Sequence, residues 1–148
     1  MRVATTVNVG PAAAFAAFTD GFAAWWPPEY TWSGATLVDI GIEPHAGGAC
    51  YEQGPHGFTC HWGRVLDWQP PARLVFSWQI SPRREPVPDP DKASEVVVQF
   101  APDANGGTRV TLEHRHFERH GDGAADYRAG MASPQGWSWL IERYAAAL

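Results

Sequence analysis

Alternation of apolar and polar positions is the clearest signal in this chain. In 73–80, Leu74, Phe76, Trp78 and Ile80 recur at every second residue, the spacing that puts side chains on one face of a strand. The same period sets Val96, Val98 and Phe100 on one face of 94–100. It also sets Val110, Leu112, His114 and His116 on one face of 108–117. Residues 2–9, 35–42, 48–53 and 58–68 read as further strands. Turn-forming stretches such as Gly54-Pro55-His56-Gly57, Gln69-Pro70-Pro71-Ala72 and Asn105-Gly106-Gly107 separate consecutive strands, so they are expected to be antiparallel neighbours.

The period changes near both ends. Gly10-Pro11 opens a helix with proline at its first position, where the missing N–H costs nothing, and Phe15 and Phe18 share one of its faces. Thr19-Asp20 caps a second short helix carrying Phe22, Trp25 and Trp26, which Pro27-Pro28 ends. A short helix is expected over 123–131. Ser133-Pro134 then reads as an N-cap followed by a first-position proline. Trp137, Leu140, Ile141, Tyr144 and Leu148 follow as a wide apolar stripe, which must be buried against the strand faces. Trp139 lies off the stripe and is assigned to the 81–93 segment or to a second subunit. That segment is proline-rich and polar, and reads as a mobile loop at the rim. Residues 1–148 together read as one α+β domain. A curved antiparallel sheet of about six or seven strands surrounds a C-terminal helix, with two short helices after the first strand.

Composition narrows the class. With 45% hydrophobic and 18% charged residues the chain is not disordered in character. A net charge of −5 and the lack of a cationic stripe argue against a nucleic-acid binder. No apolar run approaches the ~20 residues of a membrane span. The alternating start Met1–Val7 is unlike a signal peptide, so the expected location is the cytoplasm. Eight tryptophans exceed what an ordinary core of this size needs; they either line a cavity or an interface, or simply fill the core. Cys50 and Cys60 flank the 54–57 turn and are expected roughly opposite each other on neighbouring strands. In a reducing compartment they read as two small buried hydrophobes.

The order of elements resembles the helix-grip arrangement of START-like ligand-binding domains, the SRPBCC superfamily. Phe15, Phe18-Thr19-Asp20 and Trp25-Trp26-Pro27 resemble the amino-terminal signature of its heat-shock-protein-90 ATPase activator homologue branch. The stretches Trp62–Trp78 and Gly107–Glu118, and Ser133-Pro134-Gln135-Gly136-Trp137, are similar to that branch as well. The chaperone co-factors that gave the branch its name carry a further amino-terminal docking domain, whereas this chain starts at the first strand. The resemblance therefore implies the fold and a ligand cavity more than a chaperone role. Related domains include lipid carriers, hormone receptors, cyclases and dehydratases.

On this basis the expected cavity lies between sheet and terminal helix. Its expected lining is Trp25, Trp26, Trp32, His61, Leu74, Phe76, Trp78, Val98, Leu112, His114, Trp137 and Ile141, with the first three near the mouth. The alternative is that side chains fill this space completely. Glu52, His61 and Asp67 are candidates for acid–base work if the strand phase turns them inward. His114 and His116, with His120 and His61 nearby, meet part of a metal site's need, but spacing fixes no third ligand, and no metal or cofactor is expected. No paired carboxylate, Ser–His–Asp pattern or phosphate loop is present. The expected function is binding of a small hydrophobic or aromatic molecule, with no catalysis assigned. The alternatives are a cyclase- or dehydratase-like enzyme using the same cavity, or an interaction module whose exposed aromatics meet a chaperone or a second copy.

Overall fold

Turn chemistry between alternating segments brings each strand from the third to the seventh back beside its predecessor, the first strand joins the seventh, and all seven form one antiparallel sheet. The computed structural model describes Met1–Leu148. The strands are β1 (Arg2–Val7), β2 (Asp39–Ile42), β3 (Ala49–Gln53), β4 (Thr59–Gln69), β5 (Arg73–Trp78), β6 (Ser94–Pro102) and β7 (Thr108–Arg115). Their order is β1-β7-β6-β5-β4-β3-β2. The helices are α1 (Pro11–Phe18), α2 (Phe22–Trp25), α3 (Ala124–Met131) and α4 (Trp137–Ala146). This is an α+β helix-grip fold, a curled sheet closed on one side by its C-terminal helix. No helix is long and apolar enough to cross a membrane.

The registers follow from which face must be buried. Leu74 pairs with Val98, Val98 with Leu112, and Phe76 with Val96, so one layer of apolar side chains crosses β5, β6 and β7. All are fully buried. Trp137, Leu140, Ile141 and Tyr144 of α4 pack on that layer. Burying a side chain of this kind is worth ~1.5–3 kcal/mol relative to leaving it in water, so this interface dominates the stability of the fold. Two hydrogen bonds tie α4 to the N-terminal helices: Tyr144 Oη donates to Ala14 O at 2.7 Å and Arg143 Nε to Trp25 O at 3.0 Å.

Several local expectations change. Helix α4 starts at Trp137, not at Ser133, whose hydroxyl instead donates back to Gly130 O at 2.6 Å. Gly136 is the N-cap, and a Cβ there would collide with Met131 O. Leu148 lies past the helix end and is exposed, so the stripe stops at Tyr144. The 81–93 segment is a hydrogen-bonded turn: Ser81 N donates to Glu85 O, Val87 N to Gln79 O, and Gln79 Nε2 to Val87 O. Trp139 packs on Tyr30, with ring centroids 5.2 Å apart, and the Arg143 guanidinium lies 5.1 Å from its ring. A bulge between Cys50 and Tyr51 sets Cys50 opposite Gly63 and Cys60 opposite Glu52, so the thiols do not face each other and both are free.

Candidate functional site

Between the central strands and α4 the side chains are buried in one packed cluster. Leu74, Phe76, Val98 and Leu112 from the sheet and Trp137 and Ile141 from the helix interlock there, and none of the six lines the cavity described next. The expected location is thus corrected: side-chain volume fills the middle of the interface, and the empty space lies beyond the end of β5.

That cavity has a volume of about 510 Å³. Its floor is Trp26, Trp78 and Leu140, all buried. Its walls are the 29–32 strap, Ile80 and Arg84 beyond β5, and the junction between α3 and α4 from Gly130 to Gly136. Sequence order explains why these meet. Pro27-Pro28 ends α2 and sends the chain across the sheet end as a strap of two short 3-10 turns. Gly136 halts the chain in a tight turn before α4.

Each floor ring is fixed by neighbours behind it. Trp78 Nε1 donates to Tyr127 Oη at 2.7 Å, and Tyr127 Oη donates to Ile80 O at 2.8 Å. Trp26 stacks on Phe22 (5.0 Å, 18°) and lies parallel to Trp62 (6.3 Å, 10°). Trp62 is buried, and its Nε1 has no acceptor in the protein. The strap is pinned at three places. Tyr30 Oη donates to Gln135 O at 2.9 Å, and Trp32 Nε1 donates to Arg84 O at 2.7 Å. Beneath it the Glu52 carboxylate, 1% exposed, accepts from Ser33 N (2.8 Å), Ser33 Oγ (2.7 Å) and Trp32 N (3.2 Å). These donors replace the water that a buried carboxylate loses.

Behind the floor runs a polar chain of fixed direction. Trp137 Nε1 can only donate, so His114 Nδ1 accepts (3.0 Å) and the proton of a neutral His114 sits on Nε2. Nε2 then donates to Ser94 Oγ at 2.7 Å, and Ser94 Oγ donates to His120 Nε2 at 2.8 Å, which also accepts from Ser94 N. Burial holds the His114 pKa well below the usual imidazole value and lowers that of His120 as well. Both rings are thereby kept in the neutral state that this chain of bonds requires.

Of the twelve residues expected to line a cavity, the structure brings together Trp26, Trp32 and Trp78. Trp25 packs instead among Phe18, Phe22 and Tyr144. His61 is exposed on β4, because the strand phase that buries Trp62 turns its neighbour outward. His114 lies behind Trp137 rather than at the surface of the cavity. His116 does not share its face: β7 ends at Arg115, and His116 takes a left-handed conformation (φ 64°) beside Glu118. Glu52 anchors the strap and Asp67 pairs with Arg73 at 3.3 Å on the surface, so the Glu52, His61 and Asp67 trio does not converge. No three His, Cys, Asp or Glu side chains come together in a metal-binding group. Tyr30, Thr31, Arg84, Met131 and Leu140 line the cavity without having been singled out for it. The one available signal was Tyr30-Thr31-Trp32, two aromatics in an otherwise irregular linker.

The model of a known family, described as activator of Hsp90 ATPase homolog 1-like protein, matches residues 8–148. Among solved structures, the chain is similar to an anthrahydroquino-γ-pyrone synthase, Txn09, complexed with SUM. Identity is 36%, the TM-score is 0.70, and 100% of this chain and 96% of that chain are covered. It is also similar to CalC, a self-sacrificing resistance protein from Micromonospora echinospora, at 27% identity and a TM-score of 0.66, covering 99% and 91%. The protein NE0264 from Nitrosomonas europaea shares the fold at 17% identity and a TM-score of 0.67, covering 99% and 92%. No curated protein matches the chain.

Proposed function

The chain belongs to the activator of Hsp90 ATPase homolog 1-like family, and from that membership we propose that it binds a small, largely apolar aromatic molecule in the cavity at the end of β5. The observation that carries this reading is the contrast between a packed sheet–helix interface and an open, aromatic-floored space of about 510 Å³ at its end. Small-molecule sites are typically ~300–1,000 Å³ and mostly apolar, with a few placed polar groups. Trp26 and Trp78 offer ring faces and Leu140 an aliphatic surface, while the strap and the Arg84 turn cover the mouth. Opening requires parting one side-chain bond on each side of the strap, Trp32 to Arg84 and Tyr30 to Gln135.

The test is a titration with the neutral fluorophore N-phenyl-1-naphthylamine, read by quenching of tryptophan emission. One saturable site is expected. Trp78→Ala weakens it, and so does Gly130→Trp, which adds bulk at a lining position where a Cβ meets nothing within 4 Å. Binding that ignores both variants contradicts the proposal.

The 36% identity to a synthase supports a second reading, a cyclase-like enzyme acting in the same cavity. It predicts that an aromatic polyketide-type substrate is converted well beyond one equivalent per chain. Retention of an unchanged molecule at one equivalent favours binding alone.

A further inference from the structure

We propose that the ligand of this cavity carries an anionic oxygen group, a carboxylate or phenolate, seated against Arg84. The inference rests on the binding reading above and goes further by naming the chemical class. It comes from asking which polar groups on the lining are already used. Tyr30 Oη, Trp32 Nε1, Trp78 Nε1, Thr31 Oγ1 and Ser133 Oγ each donate to a protein acceptor, at 2.6 to 2.9 Å. Apart from the Glu29 carboxylate, what remains available is the Arg84 guanidinium, which meets no carboxylate although it contacts Tyr127, the Trp26 indole N–H and the Gln135 side-chain NH2, whose amide oxygen already accepts from Ser133 Oγ at 3.4 Å. A ligand that satisfies them must supply acceptors.

Arg84 is the strongest of the three and is held in place. Its backbone is left-handed (φ 63°), a conformation that costs a non-glycine residue energy and persists only where surroundings enforce it. Two bonds hold it there, Trp32 Nε1 to Arg84 O at 2.7 Å and Arg84 N to Ser81 O at 2.8 Å. The guanidinium lies 5.0 Å over the Tyr127 ring, which positions the cation without neutralising it. None of the ion pairs in the molecule includes Arg84. Glu29, the one acidic side chain on the lining, is likewise unpaired and repels an anion from its own side, directing the acidic end toward Arg84.

Magnitudes favour such a contact. Burial of a ligand's apolar surface alone gains free energy of the order that association itself costs. Firm binding therefore needs a charge-assisted bond as well.

The experiment compares two fluorophores with one aromatic frame: N-phenyl-1-naphthylamine, which is neutral, and 1-anilinonaphthalene-8-sulfonate, whose sulfonate stands in for the anionic oxygens. The protein is expected to bind the sulfonate about tenfold more tightly, the value of one charge-assisted hydrogen bond at a partly exposed site. Arg84→Gln should abolish that preference, weakening the sulfonate about tenfold more than it weakens the neutral probe. Arg84→Lys should keep part of it. Equal affinities, or a preference that survives Arg84→Gln, would overturn the inference while leaving the cavity reading intact. If instead neither probe responds to Trp78→Ala or Gly130→Trp, the cavity reading itself fails.

Discussion

The two ends of α4 face the same sheet and do different things. Toward its C-terminus, Ile141 and Tyr144 fill the space above Val98, Val110 and Leu112, and Tyr144 Oη and Arg143 Nε bolt the helix to the N-terminal helices. Toward its N-terminus, Leu140 looks onto a void. The walls there are irregular segments joined by single side-chain bonds, and rows of paired backbone are missing. Regular elements can interdigitate to crystal-like density, whereas straps and turns meet only where a specific bond holds them. One region supplies stability and the other an adaptable opening.

This contrast breaks first at the solid end. Phe76→Ala should cost ~3–5 kcal/mol in chemical denaturation, because no neighbouring segment is free to collapse into the gap. The same truncation at Trp78, whose ring partly faces the cavity, should cost less stability and more affinity. Equal stability costs at the two positions would erase the distinction.

Next in size is the strap anchor. Glu52→Gln removes the charge from three hydrogen bonds, each ordinarily worth ~1.5–3 kcal/mol, and keeps only part of their acceptor capacity. A loss of about 1–2 kcal/mol is expected, together with faster hydrogen exchange at Trp32 and Ser33 than elsewhere. A uniform change in exchange would show that Glu52 supports the whole fold and not the strap.

The smallest effect near neutral pH is a pH dependence. His114 is neutral when folded, with a pKa well below the ordinary 6.5, so the unfolded chain takes up the proton first as pH falls. Stability should therefore be full above about pH 6.5 and decline below it until the folded pKa is reached, by at most about 1.4 kcal/mol per pH unit for one group. His120 shifts in the same direction. Burial opposes ionisation of Glu95, yet hydrogen bonds from Arg115 and Arg119 hold its pKa below 4.5, so its contribution is lost only in more acid solution. His114→Gln should flatten the curve between pH 6.5 and 4.5 and leave the acid limb. An unchanged slope in that window would exclude His114 as its source.

The fold was legible because period two marks the buried face of a strand and a stripe marks the buried face of a helix. Leu74, Phe76, Leu112 and Ile141 declare themselves that way. The cavity was not legible, because hydrophobicity reports that a side chain leaves water and says nothing about whether its neighbours fill the space beside it. Trp25 and Trp26 adjoin in sequence and are both buried, yet one is packed on all sides and the other floors a void. The histidines failed for a different reason: extrapolating alternation past Arg115 missed the left-handed residue that ends β7. Arg84 was hidden by a proline-rich context that read as unstructured, although Gln79 and Trp32 hold it in register.

The most direct measurement is a crystal structure with N-phenyl-1-naphthylamine bound. The probe should lie against Trp26 and Trp78 beneath the strap, with the sheet and the C-terminal half of α4 unmoved. Density for the probe between Leu112 and Ile141, or only on the exposed surface near Val38 and Phe58, would contradict the assignment of the open end as the binding site.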